Sequence, residues 1–174
     1  MRVFYEDGRA ATLEVEAILG KGIFQFPKDI DVIGDIVNLV SEADDIVFDS
    51  FAGSGTTGHA VLKANAEDGG NRRFVLVEID EAIAKDVTAE RVRRVARGYL
   101  KPNGEKVEGP GGGFPFCRLS AEPLFDASGA IRADVRYARL AEFVWSRKPQ
   151  SRPQGRLVFL FAESRRQVLC GFSM

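Results

Sequence analysis

The chain has 174 residues, 45% of them apolar, with 24 Lys and Arg against 25 Asp and Glu and a formal net charge of −1. That length suffices for one domain with a sizeable core, and the charge balance gives no general attraction to polyanions. No run reaches the ~18 apolar residues of a membrane span; the opening MRVFYEDGRA is acidic where an export signal is apolar, and Cys117 and Cys170 are too isolated for a disulfide framework or a zinc site. A soluble protein of the reducing cytoplasm, without metal, is therefore expected.

In chain order, VFYEDGRAATLEV reads as a hairpin turning at Asp7-Gly8, a common turn dipeptide. Ile30, Ile33, Val37 and Val40 recur at helical spacing after Pro27-Lys28, which predicts a helix starting at Asp29. DIVFDS is a short apolar strand, residues 57–66 a helix, and RRFVLVEI a second strand without a polar residue from Phe74 to Val77. Such strands are expected to be buried on both faces. A long helix follows, with Ile83, Val87, Val92, Val95, Ala96 and Tyr99 towards the core and Arg91, Arg93, Arg94 and Arg97 outward or snorkelling, a solvated basic face rather than a DNA contact. This alternation predicts an α/β fold with a parallel sheet. Residues 101–114 read as a Gly- and Pro-rich linker, FPFCRL as a third strand, DVRYARLAEFVW as a helix, and LVFLF with VLCGF as a terminal hairpin.

The loop between the first strand and its helix, FAGSGTTG, matches both G-x-G-x-x-G and half of a triphosphate loop. The triphosphate reading fails because His59 and Ala60 stand where Lys and Ser or Thr are needed. A pyrophosphate is disfavoured by the carboxylate of Asp49 and by the residues separating it from the glycines. A zwitterionic ligand such as S-adenosylmethionine fits better. Asp49 can meet its ammonium, the backbone N–H groups and hydroxyls of Thr56 and Thr57 its carboxylate, and Gly53 and Gly55 permit close approach. Glu78, ending the second strand, can accept both ribose hydroxyls of an adenosine, as it would for NAD. The plain alternative is that Asp49 and Glu78 are surface acids at strand ends. His59, the only histidine, is expected to serve packing or solvation.

DSFAGSGTTGHAVLKAN followed by EDGGNRRFVLVEID resembles the cofactor-binding region of DNA amino-methyltransferases, in particular the adenine-specific modification subunits of type III restriction systems. The likeness runs over roughly residues 22–145. It implies a partial Rossmann-like, S-adenosylmethionine-dependent sheet with helices on both faces, and methyl transfer to the 6-amino group of adenine in double-stranded DNA. By the same resemblance Asp49, Phe51, Gly53, Gly55, Thr56 and Thr57 hold the methionine part and Glu78 the ribose. Phe26, Pro27 and Lys28 close over the cofactor, although Lys28 can equally be read as a solvated lysine at a helix start.

The family's D-P-P-Y or N-P-P-Y motif, which holds the target amino group and stacks on the flipped base, is absent, and none of the seven prolines is doubled. No catalytic residue is therefore assigned. The expected organisation is a remnant of a preceding segment over 1–21, the methyltransferase core over 22–119 and an extension over 120–174, together the C-terminal part of a longer protein. Without the neighbouring catalytic strand, IVFDS should expose a bare edge. DNA would be engaged through a missing part or a partner chain, such as a restriction subunit or a second methyltransferase. A non-catalytic remnant or interaction module, and an NAD-binding oxidoreductase fragment, are the alternatives.

Overall fold

The computed structural model describes residues 8–118 and 124–136, and the backbone of two short strands at 157–161 and 169–171. Two compact units are present, Met1–Arg118 with Gly155–Met174, and Leu119–Gln154. The first is a mixed α/β fold. Helix α1 (Gly8–Leu19) and helix α2 (Ile30–Val40) precede strand β1 (Ile46–Asp49), helix α3 (Thr56–Asp68) and strand β2 (Arg73–Leu76). A π-helical segment (Ile83–Thr88) runs into α4 (Ala89–Arg97), followed by β3 (Gly98–Leu100), β4 (Lys106–Glu108), β5 (Leu157–Phe161) and β6 (Leu169–Gly171). Among the described residues no helix is long and apolar enough to cross a membrane.

The expected hairpin at Asp7-Gly8 is replaced by α1, whose Ala11, Val15 and Ile18 are buried. Their spacing of four and three residues is the helical stripe that overrides the turn dipeptide. The predicted helix at Asp29 is present as α2. Asp29 caps it, its carboxylate accepting from the Asp31 and Val32 amides at 2.8 and 3.2 Å, a cap worth ~1 kcal/mol. Ile30, Ile33 and Val37 are buried, each stabilising by ~1.5–3 kcal/mol, while Val40 is only half-buried.

β1 and β2 pair in parallel, Ile46 opposite Arg73 and Asp49 opposite Leu76. Val47 and Phe74 share the core with Val61 of α3 and Val92 of α4. Gly58 allows this approach, since a Cβ there would stand 3.0 Å from both Leu76 Cδ1 and Val92 Cγ2. Burial on both faces is not found. Val47, Asp49, Phe74 and Leu76 are buried while Ile46, Phe48, Arg73 and Val75 are half-buried. Strands of four residues under α3 and α4 need only one fully apolar face, and the apolar residues on the other are partly covered.

The segment read as one long helix is interrupted by its π-helical start and ends at Arg97, so that Tyr99 lies in β3. The expected linker contains β4, which pairs antiparallel with β3 just before it, Gly98 opposite Glu108. Gly98 adopts φ +86° with the Val107 carbonyl 2.6 Å from where a Cβ would stand, and at Gly109 of the expected linker a Cβ would run into the Ala96 carbonyl, so a glycine that suggested looseness instead permits close backbone contact. The described residues of FPFCRL, 114–118, form no strand beyond a single bridge position at Phe116, although Phe114 and Phe116 pack against the core. In the second unit Phe125 and Ile131 form a bridge around a turn held by Asp126. The helix expected from Asp134 lies outside the described residues beyond Arg136.

The larger sheet has the order β5-β1-β2-β6. β5 lies parallel to β1, with a bulge between Phe48 and Asp49, and β6 antiparallel to β2. The terminal hairpin and the bare edge of IVFDS are thus both overturned, because the two late strands pair with opposite sides of the central pair. Unpaired strand amides and carbonyls drive that pairing wherever chain is available. Removing residues 155–174 should therefore expose β1 and shift the chain from a cooperative thermal transition to self-association at micromolar concentration, read by size-exclusion chromatography. An unchanged elution volume and melting curve would count against this role of β5.

Candidate functional site

The loop from β1 to α3 is fixed on three sides. Asp49, 4% exposed, accepts from the Thr57 hydroxyl at 2.6 Å and from the Phe51 amide at 3.0 Å, tying the strand end to the first turn of α3. The Ala52 amide donates to the Val77 carbonyl at 2.9 Å, and the Gly53 amide to Glu78 Oε2, also at 2.9 Å. From the π-helical segment the Thr88 hydroxyl donates to the Gly53 carbonyl at 2.6 Å. Gly55 caps α3 at φ +78°, and a Cβ would sit 3.1 Å from the Thr88 carbonyl. Handedness and close approach both require glycine there.

Above this loop lies a cavity of about 250 Å³ lined by Phe24, Phe26, Lys28, Ile33, Asp49, Phe51, Ala52, Gly53, Ser54, Thr56 and Thr57. Of the residues picked out from sequence, Phe26, Lys28, Asp49, Phe51, Gly53, Thr56 and Thr57 line it. Pro27 is buried within the same segment, Gly55 makes the turn, and Glu78 grips the loop through Gly53. The Lys28 carbonyl accepts from the Thr56 hydroxyl at 3.3 Å, joining the 24–28 segment to the loop. Phe26 is 89% exposed at φ +56°, a conformation costing ~1–3 kcal/mol for a non-glycine residue. One carboxylate, one ammonium, the positive end of a helix and three phenyl rings suit a zwitterion with an apolar body.

Residues 6–90 match the family described as DNA methylase. Similar proteins include the type III restriction-modification enzyme StyLTI Mod subunit of Salmonella typhimurium, 41% identical over 78 residues, 45% of this chain and 12% of that protein. The EcoPI Mod subunit of Escherichia phage P1 is 42% identical over 79 residues, again 45% and 12%. The type II methyltransferase M.KpnI of Klebsiella pneumoniae is 33% identical over 111 residues, 56% of this chain and 27% of that protein. The chain resembles type III modification subunits, and it spans only 12% to 27% of the length of these relatives.

The matched stretch ends one residue before the largest departure from the sequence reading. Arg91, expected outward or snorkelling, is 0% exposed. Its Nη1 donates to Ser54 Oγ and Thr56 Oγ1, both at 2.9 Å, and its Nη2 to Glu14 Oε2 of α1 at 3.5 Å. Arg93 and Arg94 pair with Glu90 at the surface as a solvated face should. No periodicity separates Arg91 from them, because four arginines in seven residues mask which one turns inward. Phe24, Ser54 and Thr88 were missed for a related reason, as each gains its role from segments distant in sequence.

His59 lies in the first turn of α3, buried, with Nδ1 3.3 Å from Arg91 Nη2. Burial first, and then the Arg91 charge, lower its pKa from 6.5 to about 3. The ring is neutral, so Nδ1 accepts from Arg91 and the 3.9 Å approach to Glu14 is not an ion pair. Burial raises the Glu14 pKa, against the opposing pull of Arg91. Because the folded His59 refuses a proton that the unfolded chain accepts below pH 6.5, His59 lowers stability as pH falls from 6.5 towards about 3. Glu14 acts in the opposite sense, with stability lost as pH rises through its elevated pKa. On going from about pH 7 to about pH 5, urea unfolding should show the wild type losing ~2 kcal/mol more stability than a His59→Gln variant. Parallel losses in the two proteins would show that His59 is not held neutral.

Proposed function

We propose that this chain carries the S-adenosylmethionine-binding part of an adenine-specific DNA methyltransferase, built on a partial Rossmann-like sheet and acting on double-stranded DNA in the cytoplasm. The observation that carries this reading is the meeting of Asp49, Lys28 and the first turn of α3 in one cavity. Asp49 uses two of its acceptor positions on Thr57 and Phe51, leaving capacity for an ammonium. The first-turn amides of α3 have no intrahelical partners, and with Lys28 they favour a carboxylate. Glu78 holds the Gly53 and Asp80 amides at 2.9 and 3.0 Å and retains acceptor capacity for ribose hydroxyls. Phe24, Phe26 and Phe51 exclude water and offer faces to a sulfonium.

Bound S-adenosylmethionine supplies an electrophilic methyl group for the 6-amino nitrogen of adenine. The described residues contribute binding and orientation, which lower the barrier by holding the donor in place. Holding the amino hydrogens and the flipped base falls to a D-P-P-Y segment, which this sequence lacks. It would come from a longer chain, a second methyltransferase chain or another subunit of a restriction-modification assembly.

A second reading, a module that binds the cofactor without transferring a methyl group, is favoured by β5. It runs parallel to β1 on the edge where the resemblance would put the catalytic strand. Calorimetric titration and transfer of labelled methyl groups to adenine-containing DNA separate the readings. The wild type should bind S-adenosylhomocysteine, and Asp49→Asn should weaken binding by ~1.5–3 kcal/mol, the scale of a hydrogen bond to a charged group. Binding of NAD in place of S-adenosylhomocysteine would sink the assignment.

A further inference from the structure

Arg91 is the largest fully buried side chain among the described residues, and the cofactor chemistry just described does not use it. A guanidinium has donors and no acceptors, so the hydroxyls it touches must present lone pairs to it and turn their protons elsewhere. Ser54 Oγ and Thr56 Oγ1 both receive Nη1, and they lie 3.1 Å apart. The Thr56 proton is thereby directed to the Lys28 carbonyl at 3.3 Å or to Ser54. One buried cation thus sets the hydroxyl orientations at the cavity floor and, through Thr56, the position of the 24–28 segment on its far side.

Its charge matters as much as its geometry. Glu14 at 3.5 Å is the anion facing it, Oε2 towards Nη2, and is itself half-buried. The other ionisable group in contact, His59, is neutral. Burial leaves the Arg91 charge weakly screened by solvent, Glu14 offsets it on the α1 side only, and it stands behind the first turn of α3, adding to the positive end of that helix. Arg91 Nε has no hydrogen-bond partner, a cost that a purely structural core residue would not need to carry.

We propose that Arg91 is a positioning residue that makes this cavity selective for ligands bearing a carboxylate, by bracing Ser54 and Thr56 and biasing the α3 end of the cavity towards anions. The inference rests on the functional reading above and names which part of the ligand that site discriminates. Its test uses the full chain and two probes, S-adenosylhomocysteine and its decarboxylated analogue, which keeps the ammonium and loses the carboxylate.

Wild-type protein should bind the carboxylate-bearing probe more tightly. Arg91→Met should lose about tenfold or more for that probe, with a change of less than about threefold for the analogue, and Arg91→Lys should recover part of the loss. Thermal melting of each variant checks folding. Should Arg91→Met fail to fold, Glu14→Gln decides, because removing the counter-charge should tighten S-adenosylhomocysteine alone. Equal losses for both probes in the Arg91 variants, or a Glu14→Gln variant indifferent to the carboxylate, would overturn this inference and leave the functional reading standing. Absence of S-adenosylhomocysteine binding by the wild type would overturn the functional reading, and this inference with it.

Discussion

The hydrogen bond from Thr57 to Asp49, 2.6 Å long, is the constraint on which the rest of the site depends. It closes the turn from β1 to α3 and holds a carboxylate at the positive end of a helix. Buried and bonded, that carboxylate is held in place by the chain before any ligand arrives. The glycines follow from this closure. With the strand and helix drawn so near, only Gly55 can adopt the left-handed cap beside Thr88, and only Gly58 leaves α3 room against Leu76 and Val92.

Around that turn the molecule handles charge by burial and pairing. Arg91 enters the core because Ser54, Thr56, Glu14 and His59 offer it acceptors, and a buried cation without them would be far more costly. Burial, and then the Arg91 charge, keep His59 neutral, while burial pushes the Glu14 carboxyl up against the pull of Arg91. Helix α1 is therefore bound into the site electrostatically as well as through its apolar stripe. The π-helical segment has a comparable local effect, since it sets the Thr88 hydroxyl on the Gly53 carbonyl. Insertions of this kind recur where a helix must bring one side chain onto a functional loop.

The sheet adds a separate feature. Four strands in the order β5-β1-β2-β6 give the central parallel pair a neighbour on each side. Both neighbours come from the C-terminal stretch, so its strands complete a sheet whose centre is formed far earlier in the chain. The family match over residues 6–90 covers the centre of this sheet and the loop, while the edge strands at 157–161 and 169–171 lie beyond it.

Much of the centre was legible in the sequence. Helical spacing gave α2, apolar runs between turn residues gave β1 and β2, and the glycine loop with Asp49 and Glu78 at two strand ends gave the outline of the site, because these are local patterns with short-range physical causes. Only tertiary structure decided the burial of Arg91, the reach of Thr88 to Gly53, the contribution of Phe24 and the pairing of β5 and β6. Each depends on which distant segment arrives opposite a given residue. The arginine-rich helix makes the reason plain: composition predicts a solvated basic face for Arg91, Arg93, Arg94 and Arg97 alike, and the one that turned inward did so because partners from α1 and the loop stood within hydrogen-bond reach. Sequence periodicity fixes which face of an element is apolar, whereas a buried charge is fixed by the acceptors that the fold gathers around it.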